Sequence, residues 1–156
     1  MQLIEIPEAD KRRYMELLLL ADEQEDMVER YLSRGEMFAL ADGASVCAEA
    51  VVTREGADVW EIKNIAVAPA YQRKGCGRAL IAQIGARYGG RGGTLRVGTG
   101  DVPSTVGFYE ACGFRRFGVI PDFFTKHYDH PIVEDGRTLR DMVLLQKPLA
   151  GGEKIP

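Results

Sequence analysis

Cysteine and histidine, the side chains that most often bind transition metals, are scarce in this chain. Its 156 residues include three cysteines and two histidines. Cys47, Cys76 and Cys112 show no metal-ligand spacing, and His127 and His130 are too close in sequence to converge easily on one ion. We therefore expect no metal site. Cys47 and Cys112 lie in apolar stretches, which favours buried, reduced thiols.

The chain also lacks a long hydrophobic run. No apolar stretch approaches the ~20 residues that a membrane-spanning helix needs. The first residues, MQLIEIPEADKRR, have no apolar segment of the kind found in signal peptides. The sequence therefore predicts a cytoplasmic protein without a membrane partner.

An excess of positive charge is missing as well. The formal net charge is -3 at pH 7, whereas a protein whose main partner is nucleic acid presents a net basic surface to the phosphate backbone. We therefore expect no nucleic-acid partner. The length suits one domain with its own core. We place this domain at residues 1–149 and predict a disordered tail at residues 150–156.

Positive charge is instead concentrated in one short loop. An apolar run over residues 62–68 breaks at a proline, and residues 72–78 then read QRKGCGR before a helix-like stretch. This order predicts a strand, a glycine loop and the start of a helix. Loop N–H groups and the positive end of a helix dipole attract phosphate. With Arg73, Lys74 and Arg78 around it, the loop indicates a pyrophosphate site, and a solvated surface turn is the alternative.

Two familiar phosphate-binding loops do not fit these residues. A dinucleotide-binding fingerprint needs a third glycine three residues after Gly77, and Leu80 stands there. A Walker A loop needs Gly-Lys followed by Ser or Thr, which the sequence does not contain. The remaining pattern is Gln-x-x-Gly-x-Gly between a strand and a helix.

Periodicity along the chain predicts alternating layers of strands and helices. The order is one strand, two helices, three strands, a helix, a strand, a helix and two strands, which is typical of a mixed α/β sandwich around a central sheet. Residues 122–136 show no clear periodicity. The predicted strands are Gln2–Ile6, 37–41, 45–53, Val59–Val67, 94–97, 114–120 and 138–146, and the predicted helices follow Pro7, span 24–33, run from the glycine loop to Tyr88 and span 103–112.

Two motifs in this order resemble those of a known family. Residues 72–77 resemble motif A of the GCN5-related N-acetyltransferases (GNAT), and residues 108–114, FYEACGF, resemble the end of their motif B. The C-terminal part is similar to a YvbK-like bacterial subgroup. The resemblance implies the α/β GNAT fold, with a mixed, mostly antiparallel central sheet of about seven strands flanked by about four helices.

The resemblance also implies acetyl-CoA as cosubstrate. The backbone of β-strand residues 65–67 would pair with the pantetheine arm, and one N–H, that of Val67, would point at the thioester carbonyl. Backbone N–H groups of residues 73–77 would hold the pyrophosphate, and the small neutral side chain of Cys76 would permit close approach. The implied cofactor-binding residues are Ile65, Ala66, Val67, Gln72, Arg73, Lys74, Gly75, Cys76, Gly77 and Arg78.

The implied reaction is acetyl transfer to a primary amine of a small molecule or peptide by direct attack in a ternary complex. Tyr109 would sit near the sulfur and protonate the leaving thiolate, and its alternative role is to pack a helix on the sheet. Glu61 precedes Gln72 by eleven positions, which matches the catalytic glutamate of histone-type relatives. It is either the base or an outward-facing surface carboxylate.

Two questions stay open from the sequence. Residues 122–136 are the predicted site of acceptor specificity, in which His127 and His130 are unassigned and Phe123 and Phe124 are expected to pack. A non-catalytic acyl-CoA-binding or regulatory domain is the alternative function, because the base is ambiguous and Val102 stands near where many relatives carry an asparagine. A homodimer is possible, since dimers are common in the family.

Overall fold

A computed structural model describes residues 1–90 and 92–150. The predicted tail therefore lies outside the described residues except for Ala150. The strands are β1 (Gln2–Ile6), β2 (Glu36–Asp42), β3 (Ser45–Gly56), β4 (Val59–Val67), β5 (Thr94–Gly100), β6 (Arg115–Ile120), β7 (Val133–Glu134), β8 (Arg137–Thr138) and β9 (Met142–Pro148), and the helices are α1 (Met15–Ala21), α2 (Glu25–Leu32), α3 (Cys76–Tyr88), α4 (Pro103–Ala111) and α5 (Phe123–His127), with 3-10 turns at Glu8–Tyr14 and Pro69–Tyr71.

Seven strands form one sheet in the order β1-β2-β3-β4-β5-β9-β6. Every neighbouring pair is antiparallel except β4 and β5, which are parallel. The predicted mixed, mostly antiparallel sheet of seven strands is therefore confirmed. Within the described part of the chain, no helix is long and apolar enough to cross a membrane.

The stretch after β6 contains structure that the sequence did not predict. The five-residue helix α5 and the small β7–β8 hairpin lie there, so the described residues form five helices rather than about four. An apolar cluster of Val102, Phe124, Ile132 and Leu139 fastens this stretch to the start of α4. Helical periodicity is not readable over so few residues, which explains the miss.

The sheet is covered on both faces. One face packs against α3 and α4 through a core that includes Phe38, Leu80 and Ile84. The other face packs against α1 and α2, where Leu18 and Leu32 are fully buried. This two-sided burial accounts for the nearly continuous apolar character of β2 and β3, whose central residues are buried on both faces.

A β-bulge at Lys63 reverses the facing of β4. Val52 pairs with Ile62, but the next residue of β3, Val51, pairs with Asn64, so Lys63 is the extra residue. Ile62 therefore packs in the α3 core, whereas the side-chain amide of Asn64 points to the opposite face. There it donates hydrogen bonds to the Leu18 carbonyl and to the Tyr31 hydroxyl, both at 3.0 Å.

β4 and β5 separate after a short parallel contact. Their pairing covers residues 59–62 and 94–97. It does not include the remaining residues of the two strands, 63–67 and 98–100. The Ala68 N–H donates to the Cys47 carbonyl across the β3–β4 ladder. In an antiparallel ladder, hydrogen-bonded and non-hydrogen-bonded residue pairs alternate. Because the Ala68 N–H points toward β3, the N–H groups of Val67 and Ile65, one and three positions before it, point away from β3. They face the gap left by β5.

β3 carries a carboxyl group that is fully buried. Glu49 has no solvent exposure, and both of its carboxylate oxygens lack a hydrogen-bond partner among the described residues. Burial raises the pKa of the Glu49 carboxyl well above its usual value. The neutral, protonated acid is thus the form that the folded chain accommodates.

Glu49→Gln is expected to flatten the dependence of stability on pH. In the wild type, the unfolded chain loses its Glu49 proton above the ordinary value of about 4.5, while the folded chain keeps it. The free energy of unfolding should therefore fall as pH rises from 5 to 8, by about 1.4 kcal/mol for each unit of pKa shift. Urea denaturation across this range measures the slope, and the exposed Glu25→Gln serves as control. Equal slopes in the wild type and the Glu49 variant would contradict a protonated Glu49.

Candidate active site

Two cavities meet at the gap between β4 and β5. The smaller, about 470 Å³, is lined by Ile65, Val67, Gln72, Gly77, Ser104, Thr105, Phe108 and Tyr109. The larger, about 880 Å³, lies between the sheet, the α1–α2 connection and the α5 segment. Ile65, Thr105 and Tyr109 line both. The arrangement can hold two molecules side by side, with their contact point at these three residues.

The glycine loop stands at the open end of the smaller cavity. Arg73 and Gly75 adopt left-handed backbone conformations with φ of 62° and 82°, and α3 begins directly after Gly75. Gln72 donates from Nε2 to the Val67 carbonyl at 3.1 Å, which fixes the loop to the end of β4. A left-handed turn running into a helix N-terminus presents successive N–H groups as an anion site.

Gly77 permits α3 and α4 to approach each other beside this loop. A Cβ atom at Gly77 would lie 3.2 Å from Cζ of Phe108, which is tighter than ordinary van der Waals contact. Both residues line the smaller cavity. The second glycine of the motif is therefore favoured by packing, since an added Cβ would require the Phe108 ring to shift by a few tenths of an ångström, rather than by an unusual backbone conformation.

The predicted cofactor residues do not all face the smaller cavity. Arg73 and Lys74 are exposed on the loop, whereas Arg78 donates to the Ala111 carbonyl at 3.2 Å and so contacts the end of α4. The Cys76 side chain is 3% exposed and belongs to the core under α3, and Ala66 is buried on β4. The expectation that Cys76 is small to permit ligand approach was wrong, because its side chain points into the core.

Tyr109 packs in the core beside the sheet and also lies where the two cavities meet. Its ring packs edge-on against Phe108 and Phe114, with centroid separations of 5.2 and 5.7 Å. The side chain is only 6% exposed, yet it lines both cavities. Burial raises the pKa of the Tyr109 hydroxyl, with nearby Cys112, Glu134 and Glu49 adding to the shift. The hydroxyl is therefore a neutral proton donor at the point where the cavities meet.

Glu61 lies in the wall of the larger cavity. Its side chain is 18% exposed and forms an ion pair of 2.5 Å with Lys63, the bulge residue. Lys63 thus holds the Glu61 carboxylate in the cavity wall.

A polar chain behind the larger cavity was missed from the sequence. Asp22, between α1 and α2, accepts hydrogen bonds from the hydroxyls of Tyr31 at 2.8 Å and Tyr128 at 2.6 Å. Asn64 extends this chain to β4 through Tyr31. Burial raises the pKa of the Asp22 carboxyl, against the opposing effect of the two tyrosines. No local pattern could reveal the chain, since its members are far apart in sequence.

Thr105 is a second missed residue, and here the sequence did hold a signal. It stands four positions before Tyr109 on α4, so both project from the same helix face. Its hydroxyl donates to Glu134 at 2.5 Å, and the neighbouring Ser104 hydroxyl donates to Asp135. These two contacts attach the β7–β8 hairpin to the first turn of α4.

The predicted acceptor segment divides into a buried and an exposed part. Phe124 packs in an apolar cluster, as expected, and His127 lines the larger cavity with its ring 4.7 Å from that of Phe123. His130 is exposed and contacts Glu23 at 2.9 Å and Asp129 at 2.5 Å. Among residues 1–90 and 92–150, no cluster of three or more potential metal ligands occurs.

Val102 departs from the family pattern in the way the sequence indicated. It is 1% exposed and packs in the apolar cluster with Phe124. The adjacent Asp101 is exposed and pairs with Arg116 at 3.3 Å. Any polar contact near the start of α4 must therefore come from Ser104 or Thr105, which line the smaller cavity.

Comparison with known proteins gives consistent matches. The family described as acetyltransferase (GNAT) domain matches residues 33–116. The curated "Uncharacterized N-acetyltransferase YvbK" of Bacillus subtilis (strain 168) is 37% identical over 144 residues, which cover 91% of this chain and 93% of that protein.

Solved structures are similar over almost the whole chain. The IAA acetyltransferase from Bacillus cereus ATCC 14579 has a TM-score of 0.84 and 35% identity, covering 95% of this chain and 99% of that one. A GNAT family acetyltransferase from Elizabethkingia anophelis with acetyl-CoA bound has a TM-score of 0.85 and 29% identity, covering 94% and 96%.

The glycine loop can be tested with a pair of matched substitutions. Gly75 and Gly43 both have positive φ, 82° and 61°, and both have open space at the Cβ position. Alanine at either site should lower the free energy of unfolding by about 1 kcal/mol. Only Gly75→Ala should weaken acetyl-CoA binding, by about tenfold, because it shifts the loop N–H groups. Calorimetric titration measures the affinity, and equal affinities for the two variants would contradict the assignment.

Proposed function

We propose that this chain, which belongs to the GNAT acetyltransferase family, moves the acetyl group of acetyl-CoA to a primary amine of a small molecule or peptide. Family membership follows from the GNAT match over more than half of the chain and the 37% identity to YvbK. The resemblance inferred from the two motifs is thereby confirmed. One observation supports the proposal most strongly: two cavities meet at Ile65, Thr105 and Tyr109.

The smaller cavity is the proposed cofactor site. The pantetheine arm would lie along the free edge of β4, where the N–H groups of Ile65 and Val67 face the gap. The pyrophosphate would accept hydrogen bonds from backbone N–H groups of residues 73–77, with Arg73 and Lys74 adding charge nearby. A single strand N–H at the thioester carbonyl, that of Val67, would stabilise the developing oxyanion.

Tyr109 is the proposed acid. Attack of a neutral amine on the thioester carbon forms the C–N bond and breaks the C–S bond, which leaves a thiolate. The thiolate takes a proton from Tyr109, and the proton lost by the attacking nitrogen restores the Tyr109 hydroxyl. Tyr109 lines both cavities, and the raised pKa of its hydroxyl favours the protonated form that can donate to the sulfur. Since both substrates bind side by side, transfer is direct and requires no acyl-enzyme.

Glu61 is the proposed base. It accepts the proton of the bound ammonium, directly or through a water, before the neutral amine attacks. Its place in the wall of the larger cavity supports this role. The ion pair with Lys63 orients the carboxylate.

The reaction is tested by thiol release from acetyl-CoA with a broad panel of amines. Tyr109→Phe should lower kcat by about 10- to 100-fold, while the affinity for acetyl-CoA stays within about twofold, because only the hydroxyl is removed. Tyr14→Phe is the matched control. Binding of acetyl-CoA without acetylation of any amine would favour the non-catalytic alternative, which no present observation supports, and unchanged turnover in Tyr109→Phe would remove its acid role.

The base is tested by Glu61→Gln. We expect kcat/KM to fall by about 100-fold or more, with unchanged affinity for acetyl-CoA. Activity should recover partly at high pH, where more of the amine is deprotonated in solution. The exposed Glu110→Gln on α4 is the control and should behave as the wild type. Activity of Glu61→Gln near the wild-type level at neutral pH would exclude Glu61 as the base.

A further inference from the structure

We propose that the acceptor carries a carboxylate as well as the reacting amine, and that Arg96 binds this carboxylate. The acceptor class is thus an amino acid or short peptide with a free carboxylate. The inference rests on the proposed function, because it assigns the larger cavity to the acceptor. It starts from an arginine in the wall of that cavity for which the described residues provide no anionic partner.

Arg96 lies on β5 beside the residue assigned as base. In the parallel β4–β5 contact it pairs with Glu61, and across the other edge of β5 it pairs with Gln146. Its side chain lines the larger cavity. The guanidinium lies over the ring of Phe117, 5.3 Å from the centroid.

The guanidinium of Arg96 is incompletely satisfied. Its Nε is buried and has no hydrogen-bond partner within residues 1–90 and 92–150, and no carboxylate of that part of the chain lies within ion-pair distance. A buried N–H without an acceptor costs free energy. A guanidinium is a permanent cation whose planar donors match the two oxygens of a carboxylate.

The carboxylates of the cavity wall are held by other groups. Glu61 pairs with Lys63, Asp22 accepts from two tyrosines, and Glu134 accepts from Thr105. Glu23 contacts His130. Each of these carboxylates already has a partner, so a carboxylate from the ligand is the better partner for Arg96.

The other cations of the cavity wall are unlike Arg96. Lys63 is neutralised by Glu61 and Arg34 by Glu55. Arg30 is exposed and contacts the Met27 sulfur at 3.3 Å. Among the described cations of the cavity wall, Arg96 therefore combines a buried Nε with the lack of a carboxylate partner. Such a wall attracts an anionic group and disfavours a polyamine, whose additional ammonium groups would meet a like charge.

The test compares each acceptor with a partner that lacks only the carboxylate. Pairs include an amino acid and its amide, a dipeptide and its amide, and tyrosine with tyramine, with spermidine as the polyamine. The β4 residue opposite Arg96 lies three ladder steps from Ile65, because Lys63 is the extra residue of the bulge, and three steps span about 10 Å along a strand. The panel therefore covers a range of amine–carboxylate separations. For the wild type, we expect kcat/KM to be at least tenfold higher for the carboxylate member of the preferred pair.

Arg96→Gln should lower kcat/KM for the carboxylate member by at least tenfold and leave its amide within about twofold. Arg96→Lys keeps the charge without the planar donors. Its kcat/KM for the carboxylate member should lie between the values of the wild type and Arg96→Gln. Arg116→Gln on β6 is the control. Acetyl-CoA affinity and thermal unfolding verify that the variants fold, and the wild-type comparison of pairs stands even if they do not.

Three results have different meanings. The assignment of Arg96 would be overturned if the wild type acetylated the amides or spermidine with the same kcat/KM as the carboxylate members. It would also be overturned if Arg96→Gln lowered kcat/KM equally for both members of a pair. Either result would leave the acetyltransferase proposal intact. Absence of thiol release with every amine, despite acetyl-CoA binding, would instead contradict the proposed function itself. A carboxylate preference that disappears in Arg96→Gln supports the inference.

Discussion

The separation of β4 from β5 is the constraint on which the candidate site depends. The two strands pair over residues 59–62 and 94–97 only. From there to Val67, β4 is paired with β3 on one edge, while its other edge faces the gap. An unpaired strand edge leaves backbone donors and acceptors without partners, which is costly unless something else binds there. Here the edge faces a cavity, so the N–H groups of Ile65 and Val67 are available to a ligand. The same gap connects the smaller cavity, the proposed cofactor site, with the larger cavity proposed for the acceptor.

The bulge at Lys63 makes this edge usable. In a regular strand without the bulge, Asn64 would face the same side as Ile62, and the residues after it would also exchange faces. With it, Ile65 faces the cavity side, while Asn64 reaches Leu18 and Tyr31 on the other face. The bulge residue is also the partner of Glu61. The bulge thus turns Ile65 toward the cavity side and places Asn64 against the α1–α2 layer. It also provides the lysine that orients the proposed base.

Buried polar groups are concentrated on the face of the sheet that carries the acceptor cavity. Glu49, Asn64, Tyr31 and Asp22 lie there, and several of them have raised pKa values because burial disfavours their charged forms. Groups of this kind are costly in a core unless each is satisfied. Their presence next to an otherwise apolar layer indicates that this side of the protein is adapted to a polar ligand rather than to stability alone.

The sequence by itself determined the order of strands and helices, the glycine loop at residues 72–77 and the helix that carries Tyr109. These features depend on neighbours in the chain, since periodicity, turn residues and motif spacing are local. The short helix α5, the true orientation of Cys76 and the polar chain from Asp22 to Asn64 were decided by tertiary structure. So was the isolation of Arg96 from the carboxylates around it. Each depends on which distant residues come together when the sheet forms, and a single sequence does not encode those distances in any local pattern.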